Sequence, residues 1–161
     1  MTHSRHTLLK ARLAIVRRDF DEILARLTQE HLSWSPLPGM RTISGQIVEI
    51  IATEIQLVAC LKDLPWIDDD EAAVMIGDCN SIDNLRQAAQ NFRRQTLEYL
   101  DSFTESELAE EVPYGAGWLG SLGLTTIPRS EVFLNIADHE WYHVGQLTSY
   151  LWARGDNPYK W

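Results

Sequence analysis

Two histidines, His139 and His143, stand four residues apart in ADHEWYHVGQL, a stretch that otherwise reads as a buried helix. At about 100° per residue, Val132, Ile136, His139, His143, Gln146, Leu147 and Tyr150 share one face of that helix. Both imidazoles therefore belong to the core-facing stripe. Side chains at i and i+4 are neighbours, so their ring nitrogens can converge on one point. Burying two unpartnered imidazoles costs on the order of several kcal/mol. A divalent metal offsets that cost by taking their lone pairs. Two ligands hold a metal poorly, and a third is expected from another helix. The candidates are Glu49, Glu54 and His31. Asp138 adjoins His139 but points elsewhere on the helix. Glu54 lies mid-stripe on a second apolar helix, where a carboxylate needs a partner; Glu49 lies on the flank of that stripe. Tyr142 and Gln146 flank the pair and are candidates to orient a substrate.

Helical periods supply the scaffold. Leu9, Leu13, Val16, Phe20, Ile23, Leu24 and Leu27 form one stripe of a long helix over about residues 7–30. Pro36 and Pro38 end it. Ile43, Ile47, Ile50, Ile51, Leu57, Val58 and Leu61 mark a second helix over about 42–62. The acidic stretch LPWIDDDEAAVMIGDCNS reads as a long connection with room for one helical turn. Ser81 or Asn80 caps a third helix over about 82–103, and Thr104 with Glu107 reads as a capping box opening a short extra turn. VPYGAGWLGSLGLTTIP reads as a loop or irregular hairpin, its Trp118 either a packing anchor or part of the site's mouth. Pro128 and Ser130 open a fourth helix that runs to Arg154 and stops at Gly155, with Pro158 beyond. The expectation is an all-α, up-down four-helix bundle, one domain over 1–161. The two long connections leave room for a crossover.

The balance of charge narrows the function classes. A formal net charge of -9 repels phosphate backbones and anionic membranes. Basic residues cluster only at Arg17/Arg18 and Arg93/Arg94, each read as a solvated helix face. No apolar run approaches the ~20 residues of a membrane span, and MTHSRHTLLKARL carries no signal-peptide pattern. Two cysteines make no disulfide framework. Cys60 reads as an inert buried thiol and Cys79 as an accessible one, in a reducing cytoplasm. Leu134, Trp141 and Trp152, with Gly145 and Thr148 between them, face away from the histidines. This face is expected to meet a second copy in a homodimer, or to lie under the VPYGAGWLGSLGL segment.

HEWYHVGQLTSYLWARGDNP resembles the last-helix motif of the DinB/YfiT-like superfamily: His, three residues, His, then Gly-Gln-Leu, with Gly and Pro after the helix. LSWSPLPGMRTISGQIVEIIATE resembles the segment that joins that family's first two helices. The resemblance implies a four-helix bundle holding a divalent metal, zinc or nickel first and iron or manganese next, on one histidine of the second helix and two of the last. His139 and His143 match the last two. Aligning TISGQIVEIIATE by its Thr42-Ile43 start and its Glu54 end puts Glu49 where the family has histidine. One carboxylate and two histidines still make a legitimate divalent-metal site with open positions. The resemblance thus implies Glu49 as third ligand, Glu54 as the reserve candidate, or a degenerate site without metal. It further implies a thiol S-transferase using a low-molecular-weight thiol such as bacillithiol or mycothiol, a relative of a maleylpyruvate isomerase, or a hydrolase of a small molecule. The alternative is a non-catalytic, stress-related scaffold.

Overall fold

Ser4 starts the first helix by accepting the Thr7 amide at 3.1 Å, and α1 runs Arg5–Arg26. The computed structural model describes residues 3–114 and 123–161. Trp118 and most of the segment suggested as a cover for the last helix lie outside them. The first helix ends earlier than the periodicity predicts. Leu27 turns extended, and Thr28 and His31 cap a short 3-10 turn, Gln29–His31, instead. Thr42 caps α2, Ile43–Leu61.

The acidic connection holds more structure than one turn. Asp68 and Glu71 form a reciprocal capping box that opens α3, Asp69–Ile76. Gly77 closes it at φ +90°, where a side chain would be strained. Ser81 caps α4, Ile82–Leu100. Thr104 and Glu107 form the expected box, with the Thr104 amide 2.7 Å from the Glu107 carboxylate. The predicted loop or hairpin begins and ends in a two-stranded antiparallel ladder, β1 Glu111–Pro113 with β2 Thr126–Pro128, Val112 facing Ile127. The last helix, α5, is Arg129–Ala153, stopped by Gly155 at φ +96°.

The four long helices form a bundle in which α1 packs on α5, α5 on α2, α2 on α4 and α4 on α1. Contacts between their ends set the directions. Tyr99 near the end of α4 donates to the Leu61 carbonyl at the end of α2, at 3.1 Å. Ser44 at the start of α2 donates to the Cys79 carbonyl just before α4. These two helices therefore run parallel. Gln46 near the start of α2 meets Tyr150 near the end of α5, so that pair is antiparallel. The 62–81 connection, α3 included, must travel the length of the bundle, and this is where the room for a crossover is used.

By length and composition α2 could span a membrane, contrary to the sequence expectation, yet it is mostly buried as the central helix of the bundle. Cys60 and Cys79 are both partly buried. Cys79 packs against the core and is less accessible than predicted; burial, with Asp78 beside it, pushes its thiol up.

Two apolar clusters make the core, and a layer of charge separates them. One gathers Phe20, Ile51, Leu85 and Leu147; the other Leu13, Leu57, Leu100 and Phe133. Between them each long helix contributes one ion: Arg17, Glu54, Arg93 and Glu140, each at most 8% exposed. Arg17 lies 3.0 Å from both carboxylates. Arg93 meets Glu54 at 2.7 Å and also pairs with Glu140. The guanidinium groups also donate to the Ala89 and Leu13 carbonyls, at 3.1 and 3.0 Å. The solvated-face reading is thus corrected: Arg18 and Arg94 are on the surface, but Arg17 and Arg93 share the stripes of Leu13 and Ala89.

Candidate metal centre

The middle of α5, on the face toward α2, carries the histidine pair. His143 is buried and His139 partly so. Their Nε2 atoms lie 3.2 Å apart and their ring centroids 4.5 Å apart. Thr53 of α2 approaches His139 Nε2 at 3.4 Å. A carboxylate oxygen of Glu49 lies within 4.8 Å of a nitrogen of each histidine. The geometry brings together the three residues picked from the sequence, Glu49, His139 and His143.

The reserve candidate and the others lie elsewhere. Glu54 is held in the buried ion layer. Burial opposes its charge, but Arg93 and Arg17 outweigh burial and hold its carboxyl below the usual range. That carboxylate is committed to two guanidinium groups and does not face the histidines. His31 is used in the 3-10 turn, its Nδ1 accepting the Thr28 amide at 3.1 Å. Asp138 faces Arg12 at 3.8 Å.

The orientation of His143 is set by a relay that the sequence did not reveal. Its Nδ1 bonds to Gln46 Oε1, an atom that can only accept, so Nδ1 carries the proton. Gln46 Nε2 donates to the Tyr150 hydroxyl at 3.2 Å, and that hydroxyl donates to the Arg41 carbonyl at 3.1 Å. The carbonyl fixes the direction of the whole chain. It leaves Nε2 of His143 with a free lone pair on the side of His139. Burial lowers the pKa of both histidines. His139 falls to about 4, with His143 and Arg41 adding to the effect of burial. For His143 burial is again the largest cause, partly countered by Glu49. Both shifts favour the neutral imidazole, the form that ligates metal.

The donor set fits a divalent ion. Two nitrogens bonded at ~2.0–2.1 Å to one tetrahedral centre stand ~3.3–3.4 Å apart, close to the Nε2 separation seen here. Glu49 supplies the harder oxygen donor of a mixed site. Beside the three residues is an open cleft of about 360 Å³, walled in part by Met40, Arg41, Tyr142 and Gln146. Gln146 Oε1 is buried on the wall of the site, next to the His143 ring, whose charged form it favours. Tyr142, well exposed, sets its ring edge-on to His143 at 5.1 Å. Glu49 meets Arg41 at 2.8 Å.

Comparison with known proteins identifies the family and matches the fold. The uncharacterized protein YizA of Bacillus subtilis (strain 168) is 25% identical over 131 residues, covering 80% of this chain and 74% of its own. The fold matches the crystal structure of the DinB-like protein YjoA from Bacillus subtilis, with TM-score 0.67, 15% identity and 94% of each chain covered. It also matches the mycothiol-dependent maleylpyruvate isomerase, with TM-score 0.66 and 19% identity over 91% of this chain but 63% of that one. The family profile of the DinB superfamily covers residues 12–147. With that match over most of its length, this chain belongs to the DinB superfamily.

Proposed function

We propose that His139, His143 and Glu49 hold a divalent metal, zinc or nickel before iron or manganese, and that the protein is a metal-dependent enzyme acting on a small molecule. The favoured reaction is S-transfer with a low-molecular-weight thiol; hydrolysis is the second. One observation carries the reading: two neutral imidazoles aim their Nε2 atoms at each other across 3.2 Å, with a carboxylate beside them and an open cleft in front. A purely structural site has no use for such a cleft.

A divalent ion in such a site supplies a Lewis acid that lowers the pKa of a thiol or water molecule brought to it. The chain's own residues do the positioning. Gln46 and Tyr150 hold the His143 ring in one tautomer. Tyr142, at the mouth, offers an aromatic wall for a substrate. Gln146 offers an acceptor for a substrate N–H or O–H. The fold likeness to a mycothiol-dependent isomerase supports a thiol as co-substrate.

The test is consumption of free thiol in the presence of a small electrophile. Loss of thiol that requires metal and disappears in His143→Ala supports the enzyme. Bound metal without turnover across a broad thiol panel supports the scaffold. That second reading draws on the Arg41–Glu49 ion pair, which gives Glu49 a partner of its own. The exposed face of α5 around Trp141 and Trp152 is proposed as a homodimer contact.

A further inference from the structure

Arg41 and Glu49 hold each other at 2.8 Å on the rim of the cleft, and both are partly open to solvent. An exposed ion pair of this kind contributes little, because solvent screens it and both side chains lose freedom to hold it. A metal ion competes for the same carboxylate at far greater strength, so Glu49 can change partners at small cost. The guanidinium is then left without its anion. Among the described residues that line the cleft, Arg41 is the only cationic side chain and Glu49 the only anionic one. The charges can be counted. A divalent ion, one carboxylate, two neutral imidazoles and one guanidinium leave the loaded cleft at a formal charge of about +2. Such a cleft attracts an anion, and the planar guanidinium favours a carboxylate, which it can meet with two parallel hydrogen bonds.

We infer that Arg41 is the specificity residue of this site: it grips a carboxylate on the substrate while the substrate's other end faces His139, His143 and Glu49. The inference rests on the metal reading above. It deepens that reading by naming the substrate class, a small carboxylate-bearing thiol. The backbone permits the exchange. The Arg41 carbonyl is fixed by the Tyr150 hydroxyl at 3.1 Å, while the guanidinium at the end of its side chain is half exposed and, among the described residues, engaged by Glu49 alone. Replacing the side chain leaves the carbonyl contact, and with it the relay to His143, in place.

The experiment uses the full chain loaded with cobalt(II), which accepts the same donors and reports a bound thiol by a near-ultraviolet sulfur-to-cobalt absorption. Two probes differ by one group: 3-mercaptopropionate carries a carboxylate where 2-mercaptoethanol carries a hydroxyl. In the wild type, 3-mercaptopropionate is expected to bind at least about tenfold more tightly. In Arg41→Gln the two thiols are expected to agree within about twofold, and Arg41→Lys should keep part of the gap. Uptake of cobalt by each variant, measured first, separates the two levels of the argument. A wild type that takes up no cobalt removes the metal reading and the inference with it. A wild type that takes up cobalt but shows no gap, or a gap unchanged in Arg41→Gln, removes the role of Arg41 and leaves the metal reading standing.

Discussion

Gln46 accepts the Nδ1 proton of His143, and that contact decides which nitrogen of the ring is free. Tyr150 and the Arg41 carbonyl allow the amide one orientation only. The site is therefore built from outside inward: carbonyl, phenol, amide, imidazole. Groups that orient a ligating histidine typically contribute 10–100-fold to metal affinity. Gln46→Met, similar in volume, is expected to weaken zinc binding at least about tenfold with helical content unchanged. Competition with a chromophoric chelator measures the first and far-ultraviolet circular dichroism the second. Undiminished affinity would show that the relay does not orient the ring.

The buried ion layer predicts opposite outcomes for adjacent residues. Arg93→Leu leaves Glu54 and Glu140 buried with one guanidinium between them, and should cost ~3–5 kcal/mol. Arg94→Ala removes only an exposed pair with Glu98, four residues on, and should stay within ~0.5 kcal/mol of wild type. Urea denaturation of both variants makes the comparison.

The histidines predict a pH dependence in the metal-free protein. His139 has a folded pKa of about 4 against 6.5 unfolded. Between those values the unfolded chain binds a proton that the folded chain does not. Stability is therefore full above pH 6.5 and is lost as pH falls toward 4. The loss per pH unit is below the ~1.4 kcal/mol of a fully shielded group, because His139 is partly exposed. In chelator-treated protein, His139→Gln should flatten the urea midpoint between pH 7 and pH 5 relative to wild type. Equal slopes would contradict the burial argument.

The exposed indoles predict an assembly. Trp141 is 43% and Trp152 49% exposed on one face of α5, with Gly145 between them. Sedimentation at micromolar concentration is expected to give a dimer for the wild type and a monomer for Trp141→Glu. A monomeric wild type removes this contact.

Much of the fold was legible because helix periodicity and caps are local signals. Thr42, Ser81 and Gly155 mark real ends. So does Asp68, whose capping box was hidden in a run of acids that read as loop. The histidine pair was legible because i, i+4 spacing is geometry written in the chain. Glu49 was reached through the resemblance of its segment, and the choice between it and Glu54 turned on helix rotation. The relay was not legible: an amide and a phenol over a hundred residues apart make no motif. Of the ion layer only Glu54 was read as a buried charge in need of a partner. Arg17, Glu54, Arg93 and Glu140 each interrupt an apolar stripe, but Arg18 and Arg94 disguise two of them as surface pairs. What pairs with what across a bundle depends on helix order, and helix order lies in the crossover, which no local signal encodes.

The central claim is that His139, His143 and Glu49 hold one metal ion. Protein stripped by chelator, dialysed against zinc at pH 7 and assayed for zinc per chain tests it directly. The account predicts about one equivalent for the wild type, strong loss in His139→Ala and His143→Ala, and weakened retention in Glu49→Gln, all with helical content preserved. A wild type that retains no zinc, nickel, manganese or iron, or histidine variants that retain as much as it does, would contradict it.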